Sequence, residues 1–559
     1  MSVPREPGAG SGGGGGESQG SRSSRRATIE ALAGERADLL VIGGGITGTG
    51  IARDAAMRGL RTVLVEQRDL AFGTSSRSSR LVHGGLRYLE QGHLGLVLEA
   101  VRERQVLLRI APHIVRPLDF LFPIHRGDRV PLWKLAAGIG LYTVFARFRN
   151  VGRHRVLGKR GVLEAEPMLR ERGLTGGVLY TDAQCDDARL VIATARSALQ
   201  QGARIANHMR VTGLMQRDGR IAGVEVEDLL DGRRGTIEAS VVVNATGPWT
   251  DRLRRLEDPA VTPLLRPTRG VHVMVNRDRI GQRHAIAFLS PIDGRVMFVL
   301  PWGDLAYIGT TDTDDPVIPD QVRADGDDLV YLLRSVNARF PGAHLTEEDV
   351  RVTWAGLRPL LAEGGTAGAS SVSREHAIVI GRSGMVTIAG GKLTTYRAMA
   401  AEVVDRALER IGRRLPRPPT DTEALPGGET DDFEPFHRRG AELGLPAAVT
   451  EHVVRHYGTE AAGIYNLGVA NRGLFERLHP AHPALEAEVV HAARRELAET
   501  VEDVLVRRLH LYFETRDRGV RAAQRAAELL GGERGWEPER VAREAERYRA
   551  FVASEPRTV

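Results

Sequence analysis

Six consecutive residues limit what this chain can fold into more than any other feature. Gly43-Gly44-Gly45-Ile46-Thr47-Gly48 fits G-x-G-x-x-G, a pattern that is weak alone and informative only between a strand and a helix. Leu39-Leu40-Val41-Ile42 precedes it, an apolar run of the kind that forms a buried parallel strand. A helical pattern follows from about Ile46 to Arg58, with Gly59 placed to stop it. A second apolar run, Thr62 to Val65, ends at Glu66. The order strand, glycine turn, helix, strand, acid is one βαβ unit opening an α/β domain. In that unit Gly43 permits the tight turn, Gly45 lets a pyrophosphate approach the backbone, and Gly48 lets the helix pack on the strand. Ile46 and Thr47 open the helix, whose first N–H groups and positive dipole end suit phosphate. Glu66 is placed to accept hydrogen bonds from ribose hydroxyls and to repel a 2′-phosphate. FAD and NAD both carry an ADP half, so these residues do not separate them.

With 559 residues, two or more domains are expected. The middle of the chain alternates strand-like runs (Val241–Val243, Val271–Val275, Val296–Leu300, Met385–Ala389) with polar turns. This suggests a substrate domain interleaved with the nucleotide domain. Arg-Leu-Pro-Arg-Pro-Pro and Pro-Gly-Gly mark residues 413–432 as a linker. Beyond it the sequence is helical, with Leu497, Val501, Val504 and Leu505 spaced to bury one face. Residues 1–36, rich in Gly, Ser and Arg, read as a flexible tail. The expected layout is tail 1–36, oxidoreductase-type α/β domain 37–412, linker 413–432 and helical domain 433–559.

A net charge of +6 over this length is a mild bias. It predicts no nucleic-acid partner and suits an anionic substrate or an anionic lipid surface. Cys185 is the single cysteine, so neither an intrachain disulfide nor a cysteine metal site can form, and a reducing cytoplasmic setting is expected. The 17 histidines show no ligand spacing, and no metal is expected. No apolar run reaches 18 residues, so no transmembrane helix is predicted. Residues 126–149 set Arg126, Arg129, Lys134, Arg147 and Arg149 around Leu132, Trp133, Leu135, Ile139, Tyr142, Val144 and Phe145. The segment fits either an interfacial helix on a membrane surface or a core helix.

The stretch Thr74-Ser75-Ser76-Arg77-Ser78-Ser79-Arg80-Leu81-Val82-His83-Gly84-Gly85-Leu86-Arg87-Tyr88-Leu89-Glu90 resembles the FAD-dependent glycerol-3-phosphate dehydrogenases, within the D-amino-acid-oxidase-like flavoproteins. Four later segments agree in order: Val243–Trp249, Ile308–Thr313, Gly356–Leu360 and Gly390–Arg397. The likeness covers about residues 38 to 545. It implies a Rossmann-like FAD domain, a largely antiparallel substrate sheet and a helical C-terminal domain. It also implies FAD as cofactor, oxidation of sn-glycerol 3-phosphate to dihydroxyacetone phosphate, a membrane quinone as acceptor and peripheral attachment to the inner face of the cytoplasmic membrane. An oxidase passing electrons to O2 and forming H2O2 is the alternative. A homodimer is admitted.

The same residues carry physical readings. Thr74, Ser75, Ser76 and Ser79 offer hydroxyls and N–H groups either to a cofactor or to solvent. Gly84 and Gly85, followed by Leu86, let backbone approach a flat ring; Arg87 and Tyr88 then present phosphate-binding groups. The resemblance adds Ala245, Gly247, Gly391, Leu393 and Thr394, with Lys392, to the expected cofactor contacts. Arg358 lies in an apolar stretch and needs an anionic partner, either a structural carboxylate or the substrate. Lys392 follows two glycines at a helix start, where ammonium and dipole both favour an anion. His272 is either a substrate contact, as the resemblance implies, or a satisfied core histidine. His83, with an ordinary pKa of about 6.5, is the first candidate for the base and His272 the second. Arg358 is too basic for that role and is assigned to oxyanion stabilisation.

Overall fold

The computed structural model describes residues 36–84, 93–145, 154–314, 319–362 and 376–555, with Glu30, Leu32 and Gly34; for residues 143–145 it describes the backbone alone. The first sheet runs in the order His376–Ile380, Val386–Gly390, Arg234–Asn244, Ala37–Ile42, Thr62–Val65, Arg204–Ala206. All its neighbours are parallel except His376–Ile380, which joins antiparallel. Ala37–Ile42 and Thr62–Val65 are buried on both faces, as their unbroken apolar sequence requires. Helices Ile46–Met57, Asp187–Gln200 and Tyr396–Arg410 cover one face. The antiparallel strands Met209–Arg217 and Arg220–Asp228 lead back into Arg234–Asn244 and cover the other. Gly59, at φ +77°, ends the first helix as expected.

The second sheet has ten strands in the path Thr313–Asp314, Thr268–Asn276, Leu305–Gly309, Val296–Trp302, Ala285–Leu289, Val115–His125, Leu174–Cys185, Leu81–Val82. Val352–Arg358 pairs with Thr268–Asn276, and Arg155–Gly158 with Leu174–Cys185. Only the pairing of Ala285–Leu289 with Val115–His125 is parallel. The expected α/β fold, with interleaved strands and a mostly antiparallel substrate sheet, is therefore what the chain adopts. The helical C-terminal domain packs on this sheet through Val504, Leu505 and Phe513 against Trp302, Tyr307 and Trp354. It is also tied to the first domain by charge: Asp69 receives Arg507 and Arg508 at 2.6 Å, all three fully or almost fully buried.

Two expectations need correction, and a third gains detail. Leu32 is helical and buried beside Leu40 and Val63, so the folded body begins before Ala37. Residues 413–432, the expected linker, hold no helix or strand and are pinned to the first domain. Arg53 donates to the carbonyls of Thr420 (3.1 Å) and Glu423 (2.8 Å), and the Leu425 N–H to Ile110 O (2.7 Å). Composition marks the absence of helix and strand there but not the partners that fix the backbone. Leu497 does not share a helix with Val501, Val504 and Leu505; it has φ +56° in the turn before them.

Candidate active site

One cavity of about 330 Å³ runs from the carboxyl ends of the parallel strands to the second sheet, the place where open α/β sheets bind ligands. Its first end is built from backbone. Gly43, at φ +115°, would press a side chain into Ala245 O at 2.5 Å. Gly48 packs against the Gly43 carbonyl, does not reach the cavity, and serves the helix–strand contact alone. Gly45, Ile46 and Thr47 line the cavity. The Ile46 N–H is taken by Ser75 Oγ at 3.0 Å, so fewer helix donors face the cavity than the sequence pattern implies. Glu66 lines the wall while accepting from the N–H groups of Gly44 (2.7 Å) and Arg68 (2.8 Å). Burial pushes its pKa up against those two bonds. Each carboxylate oxygen keeps a second lone pair for a ribose hydroxyl.

The Ser/Thr stretch is divided. Thr74, Ser75, Ser78 and Ser79 line the cavity, whereas Ser76 is buried away from it. Thr74 Oγ1 donates to Leu357 O at 2.6 Å, joining this turn to the strand that carries Arg358. Arg77 and Arg80 also turn away. Arg77 lies over the Phe72 ring, and Arg80 is enclosed by Trp302, Trp354 and Phe513. Gly84 is not on the cavity wall; the flat ring it admits is that of Tyr142, whose hydroxyl accepts the Gly84 N–H at 3.0 Å. Arg104 bonds the same hydroxyl (2.7 Å) and Asp182 (2.6 Å), fixing the backbone beside His83 from behind. Gly85, Leu86, Arg87 and Tyr88 lie outside the described residues.

The second end is built from side chains. Arg358 at the end of Val352–Arg358, Lys392 just after Val386–Gly390, Ser79 and His83 all line the cavity, as do Gly391, Leu393 and Thr394, while Ala245, beside Gly43, and Gly247 line it too. Arg358 has the anionic partner its setting demands: Asp312 at 2.8 Å, with Thr310 Oγ1 at 3.0 Å and Thr311 O at 3.2 Å. The structural carboxylate is thus present, and the guanidinium lines the cavity while bound to it. Lys392 caps the turn Leu393–Thr395 that opens helix Tyr396–Arg410. His272 does not reach the wall. It is stacked on Trp354 (5.0 Å between centroids), with Nε2 2.8 Å from Ser79 Oγ and Nδ1 unbonded. Burial, with Arg358 and Arg80 adding to it, pulls its pKa down to about 3, so it is neutral near pH 7. The wall residues that sequence reading did not single out as site residues include Met209, Arg210, Val211, Pro248, Trp249 and Arg252. Only Pro248 and Trp249 carry a sequence signal, the Asn-Ala-Thr-Gly-Pro-Trp run after a buried strand.

These residues fit FAD. Four glycines at positive φ or in close approach (Gly43, Gly247, Gly390, Gly391) leave a cradle that Cβ atoms would crowd or strain, the helix start offers donors, and the far end is cationic. Fold and site together define an FAD-dependent oxidoreductase. A family model described as FAD dependent oxidoreductase matches residues 38–397, and one described as the C-terminal domain of alpha-glycerophosphate oxidase matches residues 418–541. Glycerol-3-phosphate dehydrogenase 2 of Mycobacterium tuberculosis is 40% identical over 542 residues, covering 95% of this chain and 91% of that protein. The aerobic glycerol-3-phosphate dehydrogenase of Staphylococcus haemolyticus is 38% identical over 509 residues, covering 88% and 90%. The structure of the Bacillus halodurans glycerol-3-phosphate dehydrogenase complexed with FAD aligns with a TM-score of 0.79 at 32% identity, over 94% of this chain and 97% of that one. The chain belongs to the FAD-dependent glycerol-3-phosphate dehydrogenase family.

Proposed function

We propose that the protein oxidises sn-glycerol 3-phosphate to dihydroxyacetone phosphate and passes the electrons to a membrane quinone. The observation that carries this reading is the convergence of Arg358 and Lys392, from different strands, on one end of the cavity whose other end is the dinucleotide fingerprint. Arg358 and Lys392 lining one cavity suit a small phosphorylated alcohol better than an amino acid, and the names of the relatives agree. When bound, FAD supplies the two-electron acceptor for a hydride leaving the substrate carbon. Lys392 and Arg358 hold the anionic substrate and fix its carbon against that acceptor, with Arg87 and Tyr88 assigned to the same task from sequence. Asp312 and Thr310 lock the Arg358 guanidinium, so it stabilises a developing oxyanion without reorganising. His83 lines the cavity and is assigned as the proton acceptor for the hydroxyl. His272, behind Ser79, orients that serine hydroxyl.

A surface feature supports the acceptor. Among the described residues no helix is long and apolar enough to cross a membrane. Helix Leu132–Phe145 buries Ile139 and Tyr142 while exposing Trp133 (72%) and Leu141 (42%) beside Lys134. It thus combines both sequence readings: one face is core and the other fits an anionic lipid interface. Tyr142 links this helix to the Gly84 backbone beside His83.

The acceptor is tested by assaying purified protein with sn-glycerol 3-phosphate in air, with and without a short-chain quinone. Rapid quinone reduction with little peroxide is expected. Stoichiometric H2O2 without quinone would overturn the acceptor assignment and select the oxidase.

A further inference from the structure

A second cluster lies outside the cavity, where the C-terminal domain meets the FAD domain. One ring nitrogen each from His456 and His510 and a carboxylate oxygen of Asp186 lie within 4.8 Å of one another. His456 is on helix Ala447–Tyr457, His510 follows the π-helical segment Asp503–Arg508, and Asp186 caps helix Asp187–Gln200. Each residue is prepared as a ligand by the bond its other atom makes. His456 Nδ1 is 2.9 Å from His452 O, and His510 Nδ1 is 3.1 Å from Val506 O. Both rings therefore donate their Nδ1–H to a carbonyl, which leaves Nε2 as the inward atom, the arrangement that orients metal-bound imidazoles. Asp186 Oδ1 accepts the Arg189 N–H at 3.0 Å, which leaves Oδ2 facing His510 Nε2 at 2.6 Å. His456 Nε2 is buried, with its residue 8% exposed, and has no hydrogen-bond partner among the described residues.

We propose that Asp186, His456 and His510 bind a zinc-class transition-metal ion that fastens the C-terminal domain to the FAD domain. Of the neighbouring guanidiniums, Arg189 is bound to Glu496 at 2.7 Å and Arg80 lies beside Asp187 at 3.9 Å. A crevice of about 20 Å³ lined by Asp186, His456, Arg116, Arg455 and Trp302 gives access and leaves room for a water as fourth ligand. Two imidazoles and one carboxylate select a nitrogen-loving ion over calcium or magnesium. Binding displaces the proton shared by His510 and Asp186. None of the three residues lines the catalytic cavity, so the ion takes no part in turnover.

The test uses FAD-loaded full-length protein without a histidine tag, incubated with zinc chloride and exchanged into metal-free buffer. Mass spectrometry for metals should find one zinc per chain in the wild type and less than about a tenth of that in His456→Ala and Asp186→Asn, with FAD content and turnover retained. Wild type without stoichiometric zinc, or His456→Ala holding as much as wild type, would overturn the site. Because a ligand variant can misfold, wild type is also titrated with Co²⁺. Saturable visible bands of four-coordinate cobalt at one equivalent are expected, and their absence means that the cluster holds only a proton.

Discussion

At the fingerprint end of the cavity the surface comes mainly from one continuous stretch, Ile42 to Thr47, braced by Glu66 and Ser75. At the opposite end Ser79 and His83, Arg358, and Lys392 arrive from three places spread over more than half the chain. The first end offers N–H groups and the absence of Cβ atoms. The second offers charge held in place by other side chains, as Asp312 holds Arg358. Damage to the first should therefore remove the cofactor, and damage to the second should remove chemistry while the cofactor stays.

The largest effect is expected from Arg358→Ala. Turnover should fall by at least about 10²–10³-fold, the usual cost of losing a transition-state donor, with bound FAD unchanged by absorbance. Loss of flavin in that variant would erase the distinction between the two ends. Gly48→Val should do the reverse. Its side chain runs into the Gly43 carbonyl, so the protein should purify with little flavin and be less stable by about 1–3 kcal/mol, read by thermal melting. Asp312→Asn keeps the shape and loses the charge that fixes Arg358. A fall in kcat/KM of about tenfold with normal FAD content is expected, about 1.4 kcal/mol for one charge-assisted bond.

His272 sharpens the comparison through pH. Its native pKa of about 3 lies below the ordinary value near 6.5, so between those values the unfolded chain takes up a proton that the native protein refuses. Stability should therefore decline as pH falls from about 6.5 toward 3, at up to about 1.4 kcal/mol per pH unit from this residue. His113, also pulled down to about 3 by burial and nearby arginines, adds to the decline. Chemical denaturation of His272→Gln across that range should show a shallower slope; an unchanged slope would place the acid sensitivity elsewhere. The smallest effect belongs to the exposed helix face. Trp133→Glu should weaken flotation with phosphatidylserine vesicles several-fold, by about 1 kcal/mol, and leave turnover with soluble quinone intact.

The contrast between the ends also explains what was readable in advance. Strand, turn, helix and acid are local, so Gly43 to Glu66 could be placed from spacing alone, as could the stop at Gly59. The second end depends on contacts between distant residues. Apolar surroundings indicated that Arg358 needs an anion, and only the fold identifies Asp312. Gly84 had the right residue type for a close ring, but the ring belongs to Tyr142, 58 residues on. For His272 the sequence leaves a substrate contact and a satisfied core histidine both open, and the fold stacks it on Trp354 behind Ser79. His456 and His510, which carry no ligand spacing in the chain, meet Asp186 only after two domains pack.

The most direct test of the account is anaerobic mixing of FAD-loaded protein with excess sn-glycerol 3-phosphate while the visible flavin band is followed. Rapid bleaching is expected with this alcohol and little or none with unphosphorylated glycerol, which gives the cationic end no anion to hold. A flavin band that survives the phosphate ester, or that glycerol bleaches equally well, would contradict the account.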